Sequence, residues 1–426
     1  MKSGIICFLL MIVTSVGWSQ NYSELFDTTS LRLDFIHAGQ FDTEEYYLHK
    51  MSQLPWYSGP KDILIDPLEV GMYRLTLIQN GKTIYTRGYS TLFEEWQTTK
   101  EAKSEKRSFE ETQYIPMPKG KVVLKLETRD SVNNFKSIYE MTLNPDSVYI
   151  EKGPRTVYDF EAIRDRGYYG NKVDIVILPD GFAREQKDSF NLYAYNFMEK
   201  LLDCPPFNEH KDDINFYTVW HESEEIGADL PGEDVWVRSY LDASFYTFGS
   251  ERYLMTYSVH KVNDMASSVP FDQIIILSNT EKYGGGVVYN FYSITSALNQ
   301  YSPIVFLHEF GHAFAGLGDE YYDSEVAYED FTPKTIEPIA PNLTTLVNFE
   351  AKWKHLADDV PIPTPDDKRY RNKTGAFEGG GYESKGVYRP EYNCYMKALN
   401  AGKFCKVCSD AIEKTIQYYC NQKITD

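Results

Sequence analysis

Between about Ser23 and Asp146 apolar and polar positions alternate with the period of two expected of half-buried strands. Tyr73 to Ile78 alternates and runs into Asn80-Gly81, the dipeptide of a two-residue hairpin turn, and Lys82 to Thr86 supplies the return strand. Lys121 to Glu127 and Ser137 to Leu143 repeat the pattern. The charged run from Lys100 to Glu111 reads as a solvated loop or short helix. This first region predicts a small all-β sandwich. Asn144-Pro145-Asp146 and Gly153-Pro154 then punctuate the chain as a linker.

Beyond the linker the pattern changes. Val173 to Leu178 is a nearly continuous apolar run, as in a strand buried on both faces. Arg184 to Leu202 reads as an amphipathic helix with Phe190, Tyr193, Phe197 and Leu201 on one side. Ile214 to Trp220 and Gln273 to Leu277 are two further strands. Strands alternating with helices predict an α/β domain. The divisions are a leader at 1–19, a β-sandwich accessory domain at 20–150 and an α/β domain at 160–426. All candidate chemistry lies in the last, so a chain beginning near Asp159 is expected to fold and keep it.

The first residues set the compartment. Lys2 precedes the short apolar run Ile5 to Val13, and the small residues Gly17 and Ser19 fit cleavage before Gln20. That run is too short to span a bilayer, and no later segment could do so. The reading is an exported protein without an integral membrane span: periplasmic, cell-surface or extracellular. A formal net charge of -19 argues against nucleic acid as a partner. Aromatics make up 15%, including 34 Tyr, which suits half-wet sheet faces and clefts. After the leader five cysteines remain: Cys204, Cys394, Cys405, Cys408 and Cys420. In an exported chain the cluster Cys394, Cys405 and Cys408 is expected to hold one disulfide, because Cys405-x-x-Cys408 has no second CxxC to complete a zinc knuckle.

One segment carries chemistry. Ser302-Pro303 opens a helix, with proline where its missing N–H costs nothing. The helix continues into His308-Glu309-Phe310-Gly311-His312. Histidines four apart share a helical face and can chelate one ion, and Glu309 can serve as general base and then general acid. Imidazole and carboxylate ligands with an open position favour zinc, one ion per chain. Gly316 can end the helix in the left-handed conformation and let the chain return a third ligand, Asp319 or Glu320. His210, His221, His260 and His355 read as surface or structural residues. No G-x-S-x-G or phosphate loop is present.

The helix, terminal glycine and third ligand resemble the metzincins, although the glycine comes one residue late and the third ligand is an acid. The run His308 to Tyr321 resembles the bacterial IgA-peptidase family of metallopeptidases. So do Glu378-Gly379-Gly380-Gly381-Tyr382, Lys385 to Pro390, Asn393-Cys394-Tyr395-Met396 and Phe404 to Cys408. The likeness extends from about Val173 onward, and less specifically to the β-rich part. It implies a metzincin-like zinc endopeptidase domain with a mixed sheet and an active-site helix. Asp319 is then the third ligand, ahead of Glu320. Met396 becomes a Met-turn beneath the metal, and Tyr382, Tyr388 and Tyr395 become candidates to bind the oxyanion. Gly284 and Gly285 lie in a glycine run that could bring an edge strand against an extended peptide.

The expected function is hydrolysis of peptide bonds in a protein or peptide substrate, with the β-domain positioning substrate or attaching the enzyme to a surface. A surface binding protein with a purely structural zinc is the first alternative; Glu309 argues against it, since a structural site needs no base. A zinc amidase acting on peptidoglycan is the second.

Overall fold

The computed structural model describes residues 21–153, 155–322 and 333–424. The leader at 1–19 and Pro154 of the linker lie outside them. After a single turn, α1 (Tyr22–Leu25), come β1 (Phe26–Gln40), β2 (Thr43–Leu54), β3 (Tyr73–Gln79), β4 (Lys82–Tyr89), α2 (Leu92–Gln97), β5 (Arg107–Pro118), β6 (Val122–Arg129), β7 (Phe135–Leu143) and the short β8 (Ile150–Glu151). They form two four-stranded sheets, ordered β5-β1-β2-β8 and β4-β3-β6-β7. The alternation explains why the sheets face each other. Leu31, Leu33 and Phe35 of β1 meet Leu75 and Leu77 of β3 and Leu124 and Leu126 of β6 in one buried cluster. Asn80 and Gly81 both take positive φ, as the hairpin turn requires.

The charged run at 100–111 departs from expectation. Only Glu101–Lys103 is helical, and β5 begins at Arg107. Phe109 is buried there and Glu111 is buried against His37, whose Nδ1 lies 2.5 Å from its carboxylate. A run of charges thus hides an ion pair inside a sheet, where charge counting reads solvent.

The second region contains β9 (Asp159–Arg164), β10 (Val173–Asp180), α3 (Lys187–Leu202), β11 (Ile214–Trp220), α4 (Val259–Ala266), β12 (Gln273–Ser278), β13 (Gly285–Val288), β14 (Tyr292–Ser296), α5 (Ser302–Ala315), the hairpin β15 (Phe377–Gly380) and β16 (Glu383–Arg389), and α6 (Lys406–Tyr419). Its six-stranded sheet has the order β13-β14-β12-β10-β11-β9. The four inner strands are parallel, and β13 and β9 are antiparallel edges. An N-terminal β-rich domain is therefore followed by a mixed α/β domain. All eight residues of β10 are buried, as its continuous apolar run implies.

The two faces of this sheet have different covers. Val173, Ile175 and Ile177 of β10 share a core with residues of α3, α5 and α6. Val176 and Leu178 point the other way, into a core with α4 that also contains Leu92, Phe93 and Trp96 of α2 and Phe109 of β5. One face of the six-stranded sheet is thus closed partly by the N-terminal β-rich domain. Each large apolar side chain fully buried there contributes roughly 1.5–3 kcal/mol. Polar ties reinforce the contact. Arg32 donates to the His260 carbonyl at 2.9 Å, the Tyr114 hydroxyl to Asn263 at 3.0 Å, and the Ser90 N–H to the Tyr289 carbonyl at 3.1 Å. This shared face weighs against the expectation that a chain from Asp159 folds alone, and an alternating pattern cannot reveal that a strand face continues into a neighbouring domain.

Candidate metal centre

Helix α5 is built to be buried: Val305, Phe306, Leu307, Phe310, Ala313 and Phe314 are all in the core. Its second and third turns carry His308 and His312. Gly316 follows in the left-handed conformation, with φ +59, and its N–H closes the helix on the His312 carbonyl. The chain then doubles back, and Asp319 returns to the histidines. Asn342 fixes this return: its side-chain carbonyl accepts from Gly318 N–H at 2.7 Å and its amide donates to the Gly318 carbonyl at 2.8 Å.

Three atoms converge. His308 Nε2 and His312 Nε2 are 3.1 Å apart, and Asp319 Oδ1 lies 3.1 Å from the first and 3.2 Å from the second. Each imidazole is oriented by its other nitrogen, which faces a backbone carbonyl: Tyr395 O at 3.0 Å for His308, Leu317 O for His312. Such a bond places the proton on Nδ1 and leaves the Nε2 lone pair pointing inward. Asp319 Oδ1 is buried with no hydrogen-bond donor of its own among the described residues. Burial by itself would lower the His308 imidazole, but the carboxylate against it outweighs this and lifts it to about 9. Burial acts to raise the Asp319 carboxyl, and the two histidines overcome it and hold it far below the usual range. A divalent cation satisfies all three inward lone pairs where a proton satisfies one, so the donor set fits a metal.

Glu309 stands beside the first histidine and is half-buried. Burial pushes its carboxyl up, against the pull of His308 and His312. Its neighbour is β13. A Cβ placed on Gly285 would be 3.8 Å from Glu309 Cγ, an ordinary contact distance, so β13 lies directly beside the base. β13 is an edge of the sheet, but the outward groups of Gly285 are already bonded: its N–H to the Arg252 carbonyl at 3.3 Å and its carbonyl to Leu254 N–H at 3.2 Å. A Cβ on Gly284 would strike the Phe245 ring at 2.4 Å. An extended peptide therefore cannot pair at Gly285 without displacing the 252–254 segment.

The supporting residues fall in different places. Met396 is fully buried, and its sulfur lies 3.0 Å from the position of a Cβ on Gly311, directly under the motif helix. The Tyr382 phenol donates to Asp319 Oδ2 and lies 3.3 Å from the Tyr321 hydroxyl. Tyr395 reaches the site through its carbonyl, while its ring packs edge-on against Phe404. Tyr388 sits on β16 with its backbone paired to Thr344. Sequence reasoning missed Asn342 and the specific partner of Tyr382. No local signal marks an asparagine that buckles a loop 24 residues away.

Glu320 points elsewhere. Its carboxylate is buried among Cys394, Cys405 and Cys408, with Oε1 3.2 Å from Cys408 Sγ. The alternative of Glu320 as third ligand to the histidine pair is thus at odds with the geometry. The expected disulfide is absent: all five described cysteines are free, and Cys394 Sγ and Cys408 Sγ are 3.7 Å apart.

Two helix-borne imidazoles and an acid that close on one point, with a carboxylate on the residue next to the first imidazole, are what a metallopeptidase requires. Comparison with known families extends this to a particular one. The chain belongs to the IgA Peptidase M64 family, whose model matches residues 162–373 and 366–416. A companion model, Peptidase M64 N-terminus, matches residues 21–140. No curated protein matches the chain. Among the described residues no helix is long and apolar enough to cross a membrane.

Proposed function

We propose that the protein is an exported, zinc-dependent endopeptidase. The observation that carries the reading is the convergence of His308 Nε2, His312 Nε2 and Asp319 Oδ1 with Glu309 beside them. These three residues would hold one zinc ion, which when bound supplies a Lewis acid that polarises a peptide carbonyl and acidifies water. Glu309 accepts the proton of the attacking water and returns it to the leaving amine. Its raised proton affinity suits both halves of that task. Tyr382 orients Asp319, and Met396 supports the helix from below. The substrate class is protein or peptide; the family description names IgA, and this does not fix the substrate of this chain. Export rests on the leader-like residues Lys2 to Ser19.

The test is cleavage of casein and a peptide library by purified protein, with and without chelator, beside a panel of muropeptides. Peptide cleavage that stops on chelation and returns with zinc is expected. Cleavage confined to muropeptides would move the reading to an amidase. Metal binding with no hydrolysis of either panel would leave a binding protein.

A further inference from the structure

A second cluster of metal-binding side chains lies behind the first. Glu320 is adjacent in sequence to Asp319, yet its side chain is turned to the opposite side, into the core. It meets Cys394, from the segment that also bears Tyr395 and Met396, and Cys405 and Cys408, from the start of α6. One ligand atom from each of the four residues falls within 4.8 Å of all the others. The four residues are 0% exposed.

The distances decide between covalent and coordinate chemistry. A disulfide needs sulfurs about 2.05 Å apart. Cys394 Sγ and Cys408 Sγ are 3.7 Å apart. Two thiolates on one tetrahedral zinc, each at about 2.3 Å, stand about 3.8 Å apart. Glu320 Oε1 completes the set at 3.2 Å from Cys408 Sγ and 3.8 Å from Cys405 Sγ. Its other oxygen, Oε2, is buried without a partner among the described residues. The sulfurs are also prepared for negative charge. Cys405 N–H points at Cys394 Sγ at 3.2 Å, Cys408 N–H points at Cys405 Sγ at 3.4 Å, and Cys405 occupies the N-cap of α6, where the helix dipole favours an anion. A carboxylate buried against three thiols is costly unless a cation or a proton neutralises it.

We infer that Glu320, Cys394, Cys405 and Cys408 form a second, structural zinc site with four protein ligands and no open position. It ties together the two segments that shape the histidine site. The 394–396 segment gives the Tyr395 carbonyl to His308 and the Met396 carbonyl to Glu320 N–H at 2.8 Å. Glu320 in turn is joined to Asp319 by one peptide bond. The expectation of one ion per chain counted the histidine site alone; with this second site the protein holds two.

Metal analysis of the full-length protein, purified without chelator, should give two zinc ions per chain. The His308→Ala/His312→Ala variant should keep one, and after exchange with cobalt it should show the near-ultraviolet thiolate-to-cobalt charge-transfer band that a His/His/Asp site cannot produce. Cys394→Ser/Cys408→Ser should lose the band; should that variant fail to fold, the histidine variant decides alone. A folded histidine variant that binds no zinc and gives no band overturns the proposal. So does a Cys394–Cys408 or Cys394–Cys405 linked peptide in a non-reducing digest of the native protein. Loss of peptidase activity has no bearing on the metal count, so failure of the catalytic reading is seen separately.

Discussion

The Tyr382 phenol donates its proton to Asp319 Oδ2, the carboxylate oxygen opposite the one that faces the two histidines. The bond fixes which oxygen of Asp319 turns inward. Removing such an outer partner of a metal ligand typically costs about 10–100-fold in metal affinity or activity. Tyr382→Phe should therefore weaken zinc binding by about that factor, read by competition with a coloured chelator. Unchanged affinity together with a large fall in kcat would assign the phenol to the transition state instead.

Glu309→Gln keeps the size and polarity of the side chain and removes the base. Turnover should fall by about 10²–10⁴-fold or more while the zinc content is unchanged. A near-normal rate in this variant would show that another group handles the proton.

Asp319→Ala and Glu320→Ala should part company although the residues are neighbours. The first should empty the histidine site and abolish activity. The second should leave the three histidine-site donors in place and lower the total metal count from the other cluster. Metal analysis with cobalt spectroscopy separates the two, and equal effects of both variants on the histidine site would show that the acids share one ion.

His37 and Glu111 give the accessory domain a pH signature. Burial works to lower the His37 imidazole, but the Glu111 carboxylate at 2.5 Å, aided by Glu44, outweighs it and raises the value above the ordinary 6.5. A raised folded-state value means that the folded chain binds the proton more tightly. This contribution is complete below about pH 6.5 and is lost as pH rises through the folded-state value. Thermal unfolding of wild type should lose stability over that interval, and His37→Gln should be less stable at pH 6 with a flatter profile. A parallel profile in the variant would remove the pair from the account.

A chain beginning at Asp159 should be insoluble or lack cooperative unfolding, because Val176 and Leu178 would lose the cover of Phe93, Trp96 and Phe109. Within the full chain, Trp96→Ala should cost about 3–5 kcal/mol, as is usual for emptying a large aromatic site. Denaturant unfolding checks both, and a stable, metal-binding fragment from Asp159 would show that the shared face is dispensable.

What the sequence made legible was local. β3, its Asn80-Gly81 turn and β4 were carried by alternation and turn chemistry, and β10 by its unbroken apolar run. Spacing alone put His308 and His312 on one face, and Gly316 announced the end of their helix. What stayed hidden depends on where distant segments meet. Glu320 lies 74 residues before Cys394, and nothing in either stretch says that they touch. The outward edge of β13 looked open because the residues that pair with it, Arg252 and Leu254, belong to an irregular segment without strand periodicity. The charges around Glu111 looked solvated because its partner His37 is on another strand.

A Cβ at Gly316 would lie 2.0 Å from Cγ1 of Val70, so the accessory domain reaches to the residue that caps the catalytic helix. Recombination that joins this catalytic half to a foreign partner would therefore have to reproduce the shape of Val70 as well as the apolar cover of the sheet. The two halves are expected to be inherited together, and substitutions at one side of that contact to be answered at the other.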